Sequence, residues 1–287
     1  MLSLFKNSLI VMMASFVSVA CAQQSNLPET YSKKVLIEAK WGDGPGEFGF
    51  RIWEGDPEFP RSFVIDSKSN IYILDQLNNR IQKFVKNGKF EKYVSVESFK
   101  LADSIEIEES KTTWNNLGNI FAKTHATKLY IDAEDNLYLP VRYYSGKGQF
   151  MQKLYKYNYA SVKSIEIDNN KLEQVKNVYS GLKDKSLLLQ SDSTRLLKKD
   201  KYEHIYVMSL TRPQILKYDK KGNLIAVINL MGLPNQYSKY NVINSVPCID
   251  NDGNIYQLEL IPNEEPKRAN YPIDATGMVL IKWEKKQ

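Results

Sequence analysis

The apolar positions of this chain fall in short runs, and several of the runs end at an aspartate: Phe63-Val64-Ile65 before Asp66, Leu129-Tyr130-Ile131 before Asp132, and Val246-Pro247-Cys248-Ile249 before Asp250. Runs of this length and composition predict strands. The polar stretches that follow, DSKSN, DAEDN and DNDGN, have side chains that satisfy nearby backbone groups and tolerate turn dihedrals, so each predicts a tight hairpin. An Ile-Tyr or Leu-Tyr pair then opens a second strand, and an aliphatic-x-Lys-aromatic segment forms a third.

This skeleton occurs at Asp66-Asn70-Ile71-Tyr72, Asp132-Asn136-Leu137-Tyr138, Asp200-His204-Ile205-Tyr206 and Asp250-Asn254-Ile255-Tyr256. The matching third strands carry Ile81-Lys83-Phe84, Leu154-Lys156-Tyr157, Ile215-Lys217-Tyr218 and Leu280-Lys282-Trp283. Turn sequences at Lys86-Asn87-Gly88-Lys89 and Lys220-Lys221-Gly222-Asn223 lead into a fourth strand, Phe90 to Val94 and Leu224 to Leu230. A four-stranded antiparallel meander repeated along one chain is the blade of a β-propeller, so the expected fold class is all-β. Too little chain follows Trp283 for a fourth strand, while Lys34-Val35-Leu36-Ile37-Glu38-Ala39 reads as a strand with none before it. The N-terminal strand is therefore expected to complete the last blade, which removes open sheet edges.

Trp41-Gly42-Asp43-Gly44-Pro45-Gly46-Glu47-Phe48, followed by Phe59-Pro60, Asn70-Ile71-Tyr72-Ile73-Leu74-Asp75 and Asn78-Asn79-Arg80-Ile81-Gln82-Lys83-Phe84, resembles an NHL repeat. The opening is similar to that family's Gly-rich GEF segment, and the close to its N-x-R-I-Q-x-F strand. The resemblance implies six blades of roughly 42 residues each, within the usual range for a blade repeat, with five as the alternative. The aspartates are spaced more widely than one blade, so either degenerate blades lie around 96–126 and 158–192 or there are fewer blades with long insertions.

Before the repeats, MLSLFKNSLIVMMASFVSVACAQQ has an early cation at Lys6, an apolar run from Leu9 to Ala20, and small residues before Cys21. The run is too short to span a bilayer and reads as a secretory signal over residues 1–20. Ser18-Val19-Ala20-Cys21 resembles a bacterial lipobox, with Cys21 as the lipidated residue and 21–33 as a polar tether to a single domain over 34–287. Ala20-Cys21-Ala22 also fits ordinary signal cleavage, which would leave the protein periplasmic or secreted. The first reading places it in the cell envelope, touching the membrane through its N-terminal lipid. The net charge of +6 is spread in short runs such as Leu196-Leu197-Lys198-Lys199, and with export it argues against a nucleic-acid partner.

In a meander the first-to-second and third-to-fourth strand links share one rim, and the remaining links share the other. Units two and four carry extra residues between their second and third strands, and the long 40–61 and 96–126 connections reach the same rim. Loops on a rigid scaffold are where binding residues concentrate. The candidates on that rim are Asp75, Asn78 and Arg80, then Arg142, Tyr143 and Tyr144, then Arg212, then Lys267, Arg268 and Tyr271. Arginine and tyrosine favour interface hot spots; for Asp75 and Arg80 the favoured reading is instead a pair that braces its own loop, while for Arg142-Tyr143-Tyr144 binding and structural readings stand level.

No catalytic or metal-binding motif emerges. His204 stands where three units have Asn, His125 has no second ligand at suitable spacing, Cys248 reads as a small buried residue, and Asp250-Asn251-Asp252-Gly253-Asn254 aligns with plain turns. The expectation is a monomeric, non-catalytic binding propeller for a protein, peptide or glycan, without cofactor. The alternative is a propeller hydrolase or lyase of the sugar-lactonase type, holding one divalent cation in the axial channel.

Overall fold

A computed structural model of the chain describes residues 29–53, 56–96, 128–144, 150–158, 163–167, 194–209, 212–230, 245–262 and 275–286. The expected signal segment, most of the tether and Cys21 lie outside these. Every regular element among the described residues is a strand. The first is β1 (Tyr31–Lys40), which starts three residues ahead of Lys34, and a small hairpin follows, β2 (Arg51–Trp53) with β3 (Asp56–Glu58).

Four antiparallel four-stranded meanders make up the rest. Sheet I contains β4 (Phe63–Ile65), β5 (Ile71–Asp75), β6 (Arg80–Phe84) and β7 (Phe90–Ser95). Sheet II contains β8 (Tyr130–Ile131), β9 (Leu137–Tyr144), β10 (Phe150–Asn158) and β11 (Lys163–Ile167). Sheet III contains β12 (Thr194–Lys199), β13 (Ile205–Ser209), β14 (Gln214–Tyr218) and β15 (Leu224–Asn229). Sheet IV contains β16 (Cys248–Ile249), β17 (Ile255–Pro262) and β18 (Ala275–Lys285), and its fourth strand is β1, paired from Tyr31↔Lys285 to Lys40↔Gly277. The N-terminal strand thus completes the last sheet.

The sheets pack face to face in the order II, I, IV, III. Val64, Leu74 and Ile81 of sheet I bury against Leu129, Leu137 and Tyr155 of sheet II. Ile71, Ile73 and Phe84 on the other face of sheet I meet Leu258, Met278 and Leu280 of sheet IV. Ile255, Ile281 and Trp283 then meet Ile215, Ala226 and Ile228 of sheet III. This is a propeller-like arrangement with β4, β8, β12 and β16 innermost. Of the six or five blades expected, the described residues form four. One expectation changes: 163–167 supply the fourth strand of sheet II rather than part of a hidden blade, and sheets I and II pack directly on each other. The segments 97–127 and 168–193 lie outside the described residues.

The repeated aspartate is explained by one arrangement built four times. Asp66 Oδ1 accepts from the Lys68 and Asn70 backbone N–H groups at 2.9 and 2.7 Å, and Oδ2 from Asn70 Nδ2 and the Tyr72 hydroxyl at 2.8 and 2.9 Å. Asp132 does the same for Glu134, Asn136 and Tyr138, and Asp250 for Asp252, Asn254 and Tyr256. At Asp200 the ring nitrogen Nδ1 of His204 takes the place of the amide, 2.9 Å from Oδ2, and Tyr206 closes the set. The residue three past each aspartate is left-handed: Ser69, Asp135, Glu203 and Gly253 have φ of 64°, 63°, 68° and 83°. Gly253 also lies too close to the Tyr206 hydroxyl of sheet III for a Cβ.

The repeated lysine completes the unit. Tyr72, Tyr138, Tyr206 and Tyr256 are buried, and each stands directly across the ladder from Lys83, Lys156, Lys217 or Lys282. The ammonium groups lie 5.9, 5.7, 5.5 and 5.5 Å from the ring centroids, within cation–π range. Burial, reinforced by the adjacent aspartate, pushes the Tyr138, Tyr206 and Tyr256 hydroxyls well above the ordinary phenol range, so they stay protonated donors.

Replacing Asp250 by Ala strands a buried phenol, an amide and two backbone N–H groups together. The expected loss is about 2–4 kcal/mol of unfolding free energy in denaturant titrations, and a loss within the noise of a surface substitution would show that the turn does not hold the sheet.

Candidate functional site

The two rims are built differently. On the rim here called the turn rim, each of the four first-to-second-strand links is the short aspartate turn just described. On the opposite rim the hairpins differ in length: β5, β6, β13 and β14 have 5 residues each, whereas β9 has 8, β10 9, β17 8 and β18 11. The extra residues of units two and four, expected as loops, go largely into longer strands.

Arg142, Tyr143 and Tyr144 accordingly lie on β9, in ladder positions opposite Gln152, Met151 and Phe150, and not in a loop. Arg212 is exposed at the β13–β14 link, where its N–H donates to Ser209 Oγ at 3.2 Å. Lys267, Arg268 and Tyr271 lie outside the described residues, as does His125.

Asp75, Asn78 and Arg80 form an internal latch. Asp75 is fully buried and Arg80 is 5% exposed. Asp75 Oδ2 accepts from Arg80 Nε at 2.9 Å and from Asn78 Nδ2 at 2.9 Å, while Oδ1 accepts from the Gly49 N–H at 3.0 Å. Arg80 Nη2 donates to the Gly44 and Glu47 carbonyls at 3.0 and 2.8 Å, and Asn78 Nδ2 to the Gly42 carbonyl at 2.8 Å. Gln82, beside them, accepts from the Gly46 N–H at 2.9 Å. The Gly-rich segment 42–49 has few side chains of its own, so these groups supply its hydrogen bonds and fix it over sheet I. The arrangement braces the segment.

A second acidic residue at the same repeat position is treated oppositely. Glu259 stands nine residues after Asp250, as Asp75 stands nine after Asp66, but it has no arginine. It is 4% exposed, Gln257 is 3% exposed, and neither Glu259 Oε1 nor Gln257 Oε1 has a hydrogen-bond partner. They share with Ile255 and Ile261 the face of β17 turned toward sheet III. Burial pushes the Glu259 carboxyl up to about 7, with Lys33 offsetting it in part.

At the turn rim the ends of all four innermost strands enclose a cavity of about 230 Å³. Ile65, Ile131 and Ile249 provide its apolar lining, and Asp66, Ser67, Asp132, Asp135, Lys198 and Asn251 its polar groups. Hydrogen bonds from Asn136 and Tyr138 outweigh burial at Asp132 and hold its carboxyl below the usual range. Cys248 also reaches the cavity, buried, with its Sγ donating to the Phe63 carbonyl at 3.2 Å. The DNDGN segment is a turn of the common type, and among the described residues no three His, Cys, Asp or Glu side chains converge at metal-ligand distance.

No protein-family model matches the chain, and no curated protein matches it. Among solved structures, a protein of unknown function from Bacteroides thetaiotaomicron is 10% identical with a TM-score of 0.35, over 90% of this chain and 76% of that one. A regucalcin from Agrobacterium tumefaciens is 9% identical with a TM-score of 0.32, over 81% of this chain and 93% of its own. A virginiamycin B lyase from Staphylococcus aureus is 9% identical with a TM-score of 0.25, over 89% and 99% of the two chains. At these scores none of them bears on what this chain does.

The Glu259 carboxyl gives a pH signature. Its folded value of about 7 lies above the unfolded value of 4.5, so the folded state binds the extra proton between them and stability falls as pH rises across that window. The expected decline is on the order of 3 kcal/mol between pH 4.5 and 8, and Glu259→Gln should remove that component and be more stable than wild type at pH 8. Parallel pH–stability curves for the two proteins would contradict the assignment.

Proposed function

We propose that this chain is an exported binding propeller of NHL-like type, anchored through a lipid on Cys21, that presents its extended rim to a protein, peptide or glycan of the cell envelope. The observation that supports this most is the contrast between the rims. One is locked by four near-identical turns, and the other carries the lengthened hairpins β9–β10 and β17–β18.

The described chain also begins and ends on the locked rim. The Glu29 N–H donates to the Ile225 carbonyl at 3.2 Å, close to the third-to-fourth-strand turn of sheet III, and the Lys286 N–H donates to the Thr30 carbonyl at 2.8 Å. Glu29 is further held by Lys217 and Lys285 at 2.6 and 2.8 Å, which outweigh its burial and keep its carboxyl below the usual range. A tether running from Cys21 to Glu29 spans at most roughly 30 Å, so it would turn the locked rim toward the membrane and the extended rim away from it. In this reading the protein works as a monomer, without cofactor.

A second reading, an enzyme, is favoured by one observation: Glu259 is a buried carboxyl raised into the range where general acids and bases operate. The described residues do not assemble a metal-ligand set.

The test is site-specific photocrosslinking in whole cells, with the probe at Tyr143 or at Lys68, in wild type and in Cys21→Ala. Crosslinks to one envelope component from Tyr143 alone, weakened when the anchor is lost, are expected. Equal crosslinking from both rims, or a Cys21→Ala protein that stays in the membrane fraction, would contradict the proposal.

A further inference from the structure

The turn-rim cavity contains a break in the fourfold repeat. Two residues before the repeated aspartate, three sheets have an uncharged, buried side chain: Val64, Tyr130 and Cys248. Sheet III has Lys198 at this position, opposite Tyr206 just as the others stand opposite Tyr72, Tyr138 and Tyr256. A bulge between Leu196 and Lys198 sets that register, and such bulges re-aim side chains at sites. Lys198 is half-buried, and its two hydrogen-bond partners are neutral: the Ile249 carbonyl at 2.9 Å and Asn251 Oδ1 at 3.1 Å. An ammonium has three donors, so one remains for the cavity. Burial pulls this ammonium below the ordinary lysine range, with Asp250 and Asp200 among the groups opposing the shift.

Lining the same cavity from sheet II is a carboxylate with spare capacity. Asp135 accepts from the Ser67 N–H and hydroxyl at 2.8 and 2.6 Å, one bond per oxygen, and a carboxylate offers about four acceptor sites. Asp66 and Asp132 line the same cavity but are saturated by their own turns. Sheets II and III stand at the two ends of the packed order II, I, IV, III, so the available carboxylate and the available ammonium occupy different walls, with isoleucines between them. A simple anion would meet three carboxylates and a simple cation would meet Lys198, whereas a molecule carrying both charges satisfies each wall. Drug-sized ligands use pockets of roughly 300–1,000 Å³, so about 230 Å³ suits something smaller.

We propose that this turn-rim cavity binds a small zwitterion of the α-amino-acid class, with its carboxylate on Lys198 and the Asn251 amide and its ammonium on Asp135. The site lies on the rim opposite the extended hairpins and stands or falls independently of a partner bound there.

Calorimetric titration of the mature chain with each of the twenty standard L-amino acids tests it. At least one should bind saturably at one per chain, and its N-acetyl and C-amide derivatives should each bind at least tenfold more weakly. Lys198→Met and Asp135→Asn should each cost at least tenfold in affinity while near-ultraviolet circular dichroism stays native. The derivatives act on the wild-type protein, so a variant that fails to fold leaves the test intact. No binding of any amino acid at millimolar concentration overturns the proposal, and so does binding that tolerates both capped derivatives.

Discussion

The carboxylate at the head of each turn is the interaction on which the rest of this structure depends. One aspartate accepts four hydrogen bonds, two from backbone and two from side chains, and one of the donors is a tyrosine hydroxyl buried in the following strand. The bond therefore fixes the turn and the depth of the second strand together. Because the same tyrosine carries the third strand's lysine on its ring, three strands are set by one acidic group. The turns also couple neighbouring sheets, through Ser67 with Asp135, Tyr206 with Gly253, and Lys198 with the Ile249 carbonyl. Joining the sheets at this rim leaves the other free to vary in length.

The same logic accounts for how acidic groups are used on the other rim. Asp75 is buried at no evident cost because Arg80, Asn78, Gln82 and Gly49 all donate to it, and the Gly-rich segment is the beneficiary. Glu259 occupies the equivalent position in the last sheet, where Gln257 and isoleucines surround it and no arginine is supplied. A buried carboxyl left in that state takes up a proton instead of staying charged.

Much of the scaffold was legible in the sequence because each repeated residue has a separate physical duty. Aspartate, Asn or His and tyrosine recur at fixed offsets, and the lysine recurs across the ladder from the tyrosine, since each contacts another, and the unpaired first strand announced its pairing with the last. Less was legible where contacts join distant segments. Arg80 reaches Gly44 and Glu47 across more than thirty residues, and no local pattern distinguishes that latch from a solvent-facing site. Insertions in units two and four read as loops because strand extension leaves no turn residues to mark it. Lys198 was hidden in a run that reads as ordinary surface charge, although aligning the four units shows uncharged residues at its position in the other three. Glu259 could have been found the same way, by setting it against Asp75 and noting the absence of an arginine.

Native-state hydrogen exchange at the turn amides tests this account most directly. If the aspartates fix the sheets, the N–H groups of residues 68, 70, 134, 136, 202, 204, 252 and 254 should exchange only through global unfolding, as slowly as the central amides of β5 and β13. Fast exchange of these turns by local opening, with the strands still protected, would contradict it.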